Sequence, residues 1–480
     1  MIIKSLYRRI GASVFGSLSV AALSFLTSIL LSNIFSPSDF GLYQYMLSVG
    51  QSIILIAGLN LSNAYFTYIS KSHFHLSYHF VFSAVQTVVI CIAIYFVVLL
   101  LRDQLFESLD IQFILICLLG SFGFFALRQQ SIYLLESQRK NSFLQFILVA
   151  TALLNFFVLF ILSRNMYLEV SDVFLIMAIE YFLFWCVSLF ISRIGIRKVY
   201  VDVKWRNEAA SYTSYVKPLI ISLVIVQLCM IFDRWLLQVN SGAIEQGYFG
   251  IALRIATIAT IVSASIVNIF WKEVSSLLLK NERSAALNLL VTWHDQVTPL
   301  VFLGCLYIFV NAERILALTY GSNYVDSVQA LKLMSFYPLL QTSVHLLSTF
   351  LYADEKTTLL SKASIISTVL GALSIWFLFS IDIGLTGSVI LSLKFILVSL
   401  ILIVILSRRL GVLLEMLPLK KYLVLFPLLF VTNMGVEEWL ASYEIASVLH
   451  LLLVAMFMGA TYLIIFGLDI RAQFQKNRSL

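Results

Sequence analysis

Residues 10–43 read IGASVFGSLSVAALSFLTSILLSNIFSPSDFGLY. Positions 10–34 carry no charged side chain, and a helix needs about 20 mostly apolar residues to cross the hydrocarbon core of a bilayer. Within this run Ser13, Ser17, Ser24 and Ser28 recur at steps of four, seven and four, which places them on one helical face. Hydroxyls so placed serve two ends equally well. They allow close packing against a neighbouring helix, or they line a polar path, for which Ser17, Ser24 and Ser28 are the candidates. The run gives way to Ser38-Asp39-Phe40-Gly41-Leu42-Tyr43, a turn whose pattern recurs later in the chain.

Outward from this stretch the apolar pattern repeats almost end to end. Of the 480 residues 60% are apolar and 12% are Asp, Glu, Lys or Arg, whereas a soluble domain has roughly 25% charged residues. No soluble core of this length hides so much apolar surface, so the solvent is lipid. Apolar windows fall at 10–34, 42–66, 79–101, 111–135, 143–163, 171–193, 212–239, 247–270, 297–319, 327–352, 357–380, 384–407, 422–440 and 446–468. The window at 422–440 is shortened by Pro427, Glu437 and Glu438. The sequence thus predicts an all-α integral membrane protein of about 14 transmembrane helices. The expected organisation is a six-helix lobe (1–193), a cytoplasmic linker (194–211), a second six-helix lobe (212–407), and two further helices with a cytoplasmic tail (408–480). The first window lacks the small-residue cleavage site of a signal peptide and is expected to be retained. Residues 271–294 mix Leu277, Leu278, Ala285, Leu289 and Trp293 with charges, which suits a helix lying in the cytoplasmic interface, or else a solvated loop.

The formal net charge of +7 invites a nucleic-acid reading, but the Lys and Arg residues sit in short clusters between apolar runs. That is the pattern of helix flanks, and no nucleic-acid partner is expected. With the N-terminus inside, 22 of the 32 basic residues fall in inside segments and three in outside loops. Since cytoplasmic loops retain Lys and Arg, both termini and the linker are expected in the cytoplasm. Cys91, Cys117, Cys186, Cys229 and Cys305 lie in apolar segments without CxxC spacing, implying neither a disulfide frame nor a zinc site. His73, His75 and His79 form an HxHxxxH on an inside loop without a fourth ligand, so no metal is expected there.

Apart from Arg193 and Arg314, counted with the flanking segments, seven basic residues remain inside the windows: Arg128, Lys217, Arg234, Arg254, Lys332, Lys362 and Lys394. Leaving aside Asp172, Glu313, Glu437 and Glu438 towards the window ends, only Glu180, Asp233 and, at a boundary, Asp295 oppose them. A charge at mid-bilayer costs ~2.5–3.5 kcal/mol on insertion scales, so such groups face a cavity or a partner. Lys217, Lys332 and Lys362 lie near helix ends, where a long side chain can snorkel; Lys217 is kept as a candidate for cargo binding. Lys394 lies near mid-membrane, Arg128 stands beside Gln129 and Gln130, and Arg234, a further candidate for cargo binding, aligns with Gln227, a candidate for the cavity lining, and Gln238 on one helix face. Asp233 and Arg254 lie equally far from an outside turn centred between Ala243 and Ile244, so they are expected at similar depth on neighbouring helices. Their pairing reads either as a structural salt bridge or as one that opens when Arg254 takes a phosphate or Asp233 a proton. Glu180, mid-span, is a counter-ion or a proton site.

Transporters often contain two related halves, and this chain shows traces of them. Ser38-Asp39-Phe40-Gly41-Leu42-Tyr43 is matched at an offset of 206 by Ile244-Glu245-Gln246-Gly247-Tyr248-Phe249. Leu134-Leu135-Glu136-Ser137-Gln138-Arg139 is matched at an offset of 217 by Leu351-Tyr352-Ala353-Asp354-Glu355-Lys356. With Phe35-Ser36-Pro37 before the first turn, Phe232-Asp233-Arg234-Trp235-Leu236-Leu237 before the second, and Gly384-Leu385-Thr386-Gly387, the chain resembles the polysaccharide transporters that include the Wzx-type O-antigen flippases. Their superfamily also holds lipid II flippases and multidrug and toxic-compound extrusion proteins. The resemblance implies a V-shaped pair of lobes around a central cavity that opens inward and then outward. The implied cargo is an oligosaccharide on undecaprenyl diphosphate, carried across the bacterial inner membrane for O-antigen, lipopolysaccharide or other surface polysaccharide synthesis. Membrane lipids, a polysaccharide polymerase and chain-length machinery are the further implied partners. Family members often carry a basic residue near the end of the second span, where this chain has none before Lys71, so that cationic contact is not carried over.

A membrane polymerase or glycosyltransferase would need a sizeable extramembrane loop for its acid, base or metal, and the outside loops are short. No HExxH, GxSxG, DxD or P-loop occurs, so neither an enzyme nor direct ATP drive is expected and no cofactor is implied. Proton or sodium coupling stays open. The runner-up is a cation-coupled antiporter of the drug type. The excess of Arg and Lys in the spans favours an anionic cargo, with Arg254, Arg128 and Lys394 as the deepest cations, expected to face the space between the halves.

Overall fold

The computed structural model describes residues 2–58, 110–120, 140–165, 167–192, 205–381 and 384–416, with isolated positions 88, 89, 92, 93, 95, 96, 100, 128, 131, 132, 135, 451 and 454. Among them the chain is helical and has no strand, as an all-α membrane protein requires. The helices are α1 (Ile2–Ile34), α2 (Pro37–Gly58), α3 (Ile111–Leu118), α4 (Asn141–Asn165), α5 (Val170–Ser192), α6 (Trp205–Ile258) and α7 (Thr260–Leu279). They are followed by α8 (Arg283–Val310), α9 (Ala312–Thr319), a 3-10 turn (Ser322–Ser327), α10 (Val328–Met334), α11 (Tyr337–Ala353), α12 (Thr357–Ser380), α13 (Gly387–Leu410) and α14 (Leu413–Met416). Six described stretches are long and apolar enough to cross a membrane. In that of α4 only 17% of the apolar window is buried against protein, so most of its Leu and Phe side chains find their apolar surroundings in lipid. The windows at 79–101, 422–440 and 446–468, and the linker up to residue 204, lie largely outside the described residues.

Helix boundaries follow local chemistry. Pro37 occupies the first position of α2, where its missing N–H costs nothing. The Asp39 backbone N–H donates to Ser36 Oγ at 3.1 Å and the Ser36 hydroxyl donates to Asp39 Oδ2 at 2.7 Å, so the cap is tied from both sides. Gly411 ends α13 with φ +78, and the Val412 N–H donates to the Ser407 carbonyl, while Arg408 and Arg409 complement the carboxyl end of the helix dipole. Within α6 the chain turns at Gly242, whose φ of +80 suits glycine, so this long element is two spans joined by a tight corner.

Three segments depart from the sequence reading. Residues 271–294 are not a separate helix in the interface. They are the ends of α7 and α8, joined across Lys280–Glu282 with Asn281 at φ +61, a conformation asparagine tolerates. The ninth window is displaced accordingly: its long helix is Arg283–Val310, and Ala312–Thr319 is a separate short helix after Asn311. The tenth window is broken between Met334 and Tyr337. Pro338 cannot donate to the Met334 carbonyl and its ring crowds that carbonyl, so one continuous helix is disfavoured there.

Two compact units emerge, one formed by residues 1–247 with 364–381 and the other by 248–363 with 382–480. In the first, α1 lies along α4, α4 along α5, and α2 against α3 and α5. Close approach is set by small residues: a Cβ on Gly16 would stand 2.4 Å from Gln145 Oε1, and one on Gly120 2.0 Å from the Phe174 carbonyl oxygen. In the second, α7, α8, α11 and α13 pack around Phe270, Val274, Leu290, Leu347, Phe350 and Leu406.

Candidate functional site

The first unit buries a polar cluster within its apolar helices. Glu180 on α5 is 7% exposed, and Asn155 Nδ2 from α4 donates to its Oε2. The Thr151 hydroxyl, one turn earlier on α4, is also within hydrogen-bonding reach of the carboxylate, and the Arg128 charge acts on it. The Arg128 guanidinium lies over the Tyr181 ring, 4.8 Å from its centroid, and 5.5 Å from that of Phe184, and it hydrogen-bonds the Tyr181 hydroxyl. Among the described residues its buried Nε has no hydrogen-bond partner, and neither has the buried Oδ1 of Asn155. Two aromatic faces therefore hold a cation beside a carboxylate, with one donor and one acceptor still unfilled.

Arg234 and Asp233, adjacent on α6 before the Gly242 corner, are both buried. Arg234 Nη1 donates to Gln246 Oε1 at 3.1 Å, and Gln246 Nε2 returns a bond to the Arg234 carbonyl at 2.5 Å. Gln246 is fully buried, so the arginine clasps the two sides of the Gly242 corner. Here the repeated motifs meet. A Cβ on Gly247 would be 3.5 Å from the Gly41 Cα, and one on Gly41 would be 1.7 Å from the Ala243 carbonyl oxygen. The two glycines paired by the 206-residue offset pack directly on one another.

In the second unit Lys394 on α13 is 3% exposed, its ammonium 5.1 Å from the Phe395 ring centroid. Phe395 in turn packs against Phe249 and Tyr337. Arg254 is half-buried, with the Thr257 hydroxyl donating to its carbonyl. Of the other candidates, Gln227 is half-buried, Ser28 is buried and Ser24 is exposed. The serine stripe is therefore not uniformly covered. The side chains of Lys217 and Ser17, and His73, His75 and His79, lie outside the described residues. Lys362 is exposed and Lys332 half-buried. Among the described residues no group of His, Cys, Asp or Glu is placed to hold a metal.

The structure thus brings Arg128 and Glu180 together and ties Arg234 to a residue the sequence reading passed over. Asn155 and Gln246 were the missed partners, each a lone amide in an apolar setting. A second overlooked pair joins α8 to α11, where buried His294 Nε2 lies 3.0 Å from Ser343 Oγ.

No known protein-family profile and no curated protein sequence matches this chain. Solved structures do. The lipid II flippase MurJ in an inward closed conformation aligns with a TM-score of 0.70 at 14% identity, covering 94% of this chain and 98% of that one. An inward-facing multidrug resistance MATE family transporter aligns at 0.64 and 15% identity, covering 83% and 98%. A MOP superfamily transporter from Pyrococcus furiosus, described as having a binding pocket of reverse polarity, aligns at 0.59 and 14%, covering 85% and 96%. The chain has the multi-span fold shared by these flippase and transporter structures.

Proposed function

We propose that the chain is a flippase that carries an undecaprenyl-diphosphate-linked oligosaccharide from the inner to the outer leaflet of a bacterial plasma membrane, for O-antigen or another surface polysaccharide. The observation that carries this reading is Arg128, a cation held within apolar helices by Tyr181 and Phe184 with its Nε donor unfilled. A diphosphate loses its hydration on leaving water, and cations already fixed in a low-dielectric site offset that loss. Arginine adds a planar fork that matches phosphate oxygens. In this reading Arg128, Arg254 and Lys394 take the diphosphate, with Lys217 nearer a helix end, while Ser, Gln and Tyr side chains along the path meet the glycan hydroxyls. Alternating access rocks two repeat-related halves, with both termini in the cytoplasm. The buried carboxylates of Glu180 and Asp233 favour a second reading, a cation-coupled drug-type antiporter.

Deleting the gene separates the two. The flippase reading expects lipid-linked oligosaccharide to accumulate in the cytoplasmic leaflet and surface polysaccharide to disappear. Unchanged polysaccharide with heightened sensitivity to cationic drugs would favour the antiporter.

A further inference from the structure

The Glu180 cluster has a feature that ion pairing alone does not explain. The Glu180 carboxyl group uses one edge of the Asn155 amide, accepting from Nδ2, while Oδ1 of the same amide is buried, 8% exposed as a residue, and has no hydrogen-bond partner among the described residues. A carboxylate has no proton to give that oxygen. A carboxylic acid has one, and an acid facing a primary amide can make two bonds at once, N–H to the acid carbonyl and O–H to the amide oxygen. The Asn155 amide thus brings an unused acceptor, as well as a donor, to the side chain that would take the proton.

Arg128 supplies the reason for a proton to arrive. Its charge acts on Glu180 in the structure, while its Nε remains unfilled. An anion that engages the guanidinium draws that charge away from Glu180 and adds negative charge beside it, which favours protonation of the carboxyl. Among the described residues on elements packed against α5, the other titratable groups are Asp39, Tyr43 and Tyr45 on α2, Cys117 on α3 and Arg164 on α4. Arg164 lies over Phe160 at the far end of α4, and Tyr43 acts on Tyr181. On α5 itself, Tyr181 adjoins Glu180, and Asp172 lies in the first turn.

We propose that this cluster is a proton-linked anion site: a phosphate group binds Arg128 and one proton from water binds Glu180 in the same event, and both leave together. The proposal rests on the reading that the cargo is an anionic lipid diphosphate. The step is a proton transfer only, forming one O–H bond on a Glu180 carboxyl oxygen, and it carries a cargo of charge near −2 with one compensating positive charge. Because phosphate and proton favour each other's binding, the linkage is positive.

The test uses full-length protein in lipid nanodiscs titrated with undecaprenyl diphosphate across pH 6–8.5, with proton uptake followed by calorimetry in two buffers of different ionisation enthalpy. The probe's own titration is common to all variants and cancels in the comparison. Wild-type protein is expected to take up close to one proton more per bound lipid than Glu180→Gln. Its affinity should fall, relative to that variant, by up to about tenfold per pH unit where Glu180 is ionised in the free protein. Asn155→Leu, which removes both the donor to the carboxylate and the acceptor for the acid, should shift the pH at which proton uptake peaks, and it serves where Glu180→Gln yields no folded protein. Equal proton uptake by wild type and Glu180→Gln, or an unmoved profile in Asn155→Leu, overturns the linkage while leaving the cargo reading intact. Absence of binding to wild-type protein, or equal binding to Arg128→Ala, overturns the cargo reading at this site and the linkage with it.

Discussion

Arg234 shows how a buried cation can be structural. Its guanidinium and carbonyl both bond Gln246, which has no access to water, so removing either partner leaves a buried polar group unmatched. Such a loss costs ~1–3 kcal/mol, more when the survivor is charged. Gln246→Leu, which removes the acceptor of the buried guanidinium and the donor to the Arg234 carbonyl, is expected to lower the thermal unfolding temperature in detergent, with any loss of export following the loss of protein. Normal protein levels with abolished export in Arg234→Leu would return that residue to the cargo path. At this scale the sequence exposes charges well and amides poorly. Arg128 and Glu180 stand out because an ionisable group in an apolar run needs a partner. Asn155 and Gln246 do not stand out, because a neutral amide in a span is common and its partner comes from another helix.

Close approaches between elements are unequal where the sequence motifs are alike. Gly41 and Gly247 occupy matching motif positions, yet a methyl group on Gly41 would overlap the Ala243 carbonyl, while one on Gly247 would meet the Pro37 carbonyl oxygen at an ordinary 3.4 Å. Gly41→Ala must push the Gly242 corner away, an overpacking cost of ~1–3 kcal/mol or more, whereas Gly247→Ala should be nearly neutral. Thermal unfolding of the two variants checks this, and equal midpoints would contradict the crossing. Helix existence was legible because apolar windows are long, but helix interruptions were not. Pro338 and Asn311 lie inside windows that are apolar on average, so composition reads through the break while backbone hydrogen bonding cannot. The segment 271–294 misled for a related reason: amphipathic ends of two long helices carry the same residue mix as a helix lying in the interface.

For the molecule as a whole, composition alone separates lipid from water as the solvent, and an all-helical, multi-span fold of the kind seen in the solved flippase and transporter structures agrees with that reading. Orientation rests on the 22-to-3 distribution of basic residues, and cysteine labelling should find residue 200 accessible only from the cytoplasm. Cargo was less legible, since hydroxyl-rich glycans can be met by many Ser, Asn, Gln and Tyr patterns and only the anionic end leaves a signature in charge. That signature is the central claim, and reconstitution tests it most directly. Proteoliposomes loaded with lipid-linked oligosaccharide are exposed to a membrane-impermeant glycan-cleaving enzyme, and the protected inner-leaflet fraction is followed over time. Wild-type protein should render that fraction cleavable, Arg128→Ala should leave it protected, and Arg128→Lys should restore part of the rate. An inner-leaflet fraction equally protected in wild-type and protein-free vesicles would contradict the account.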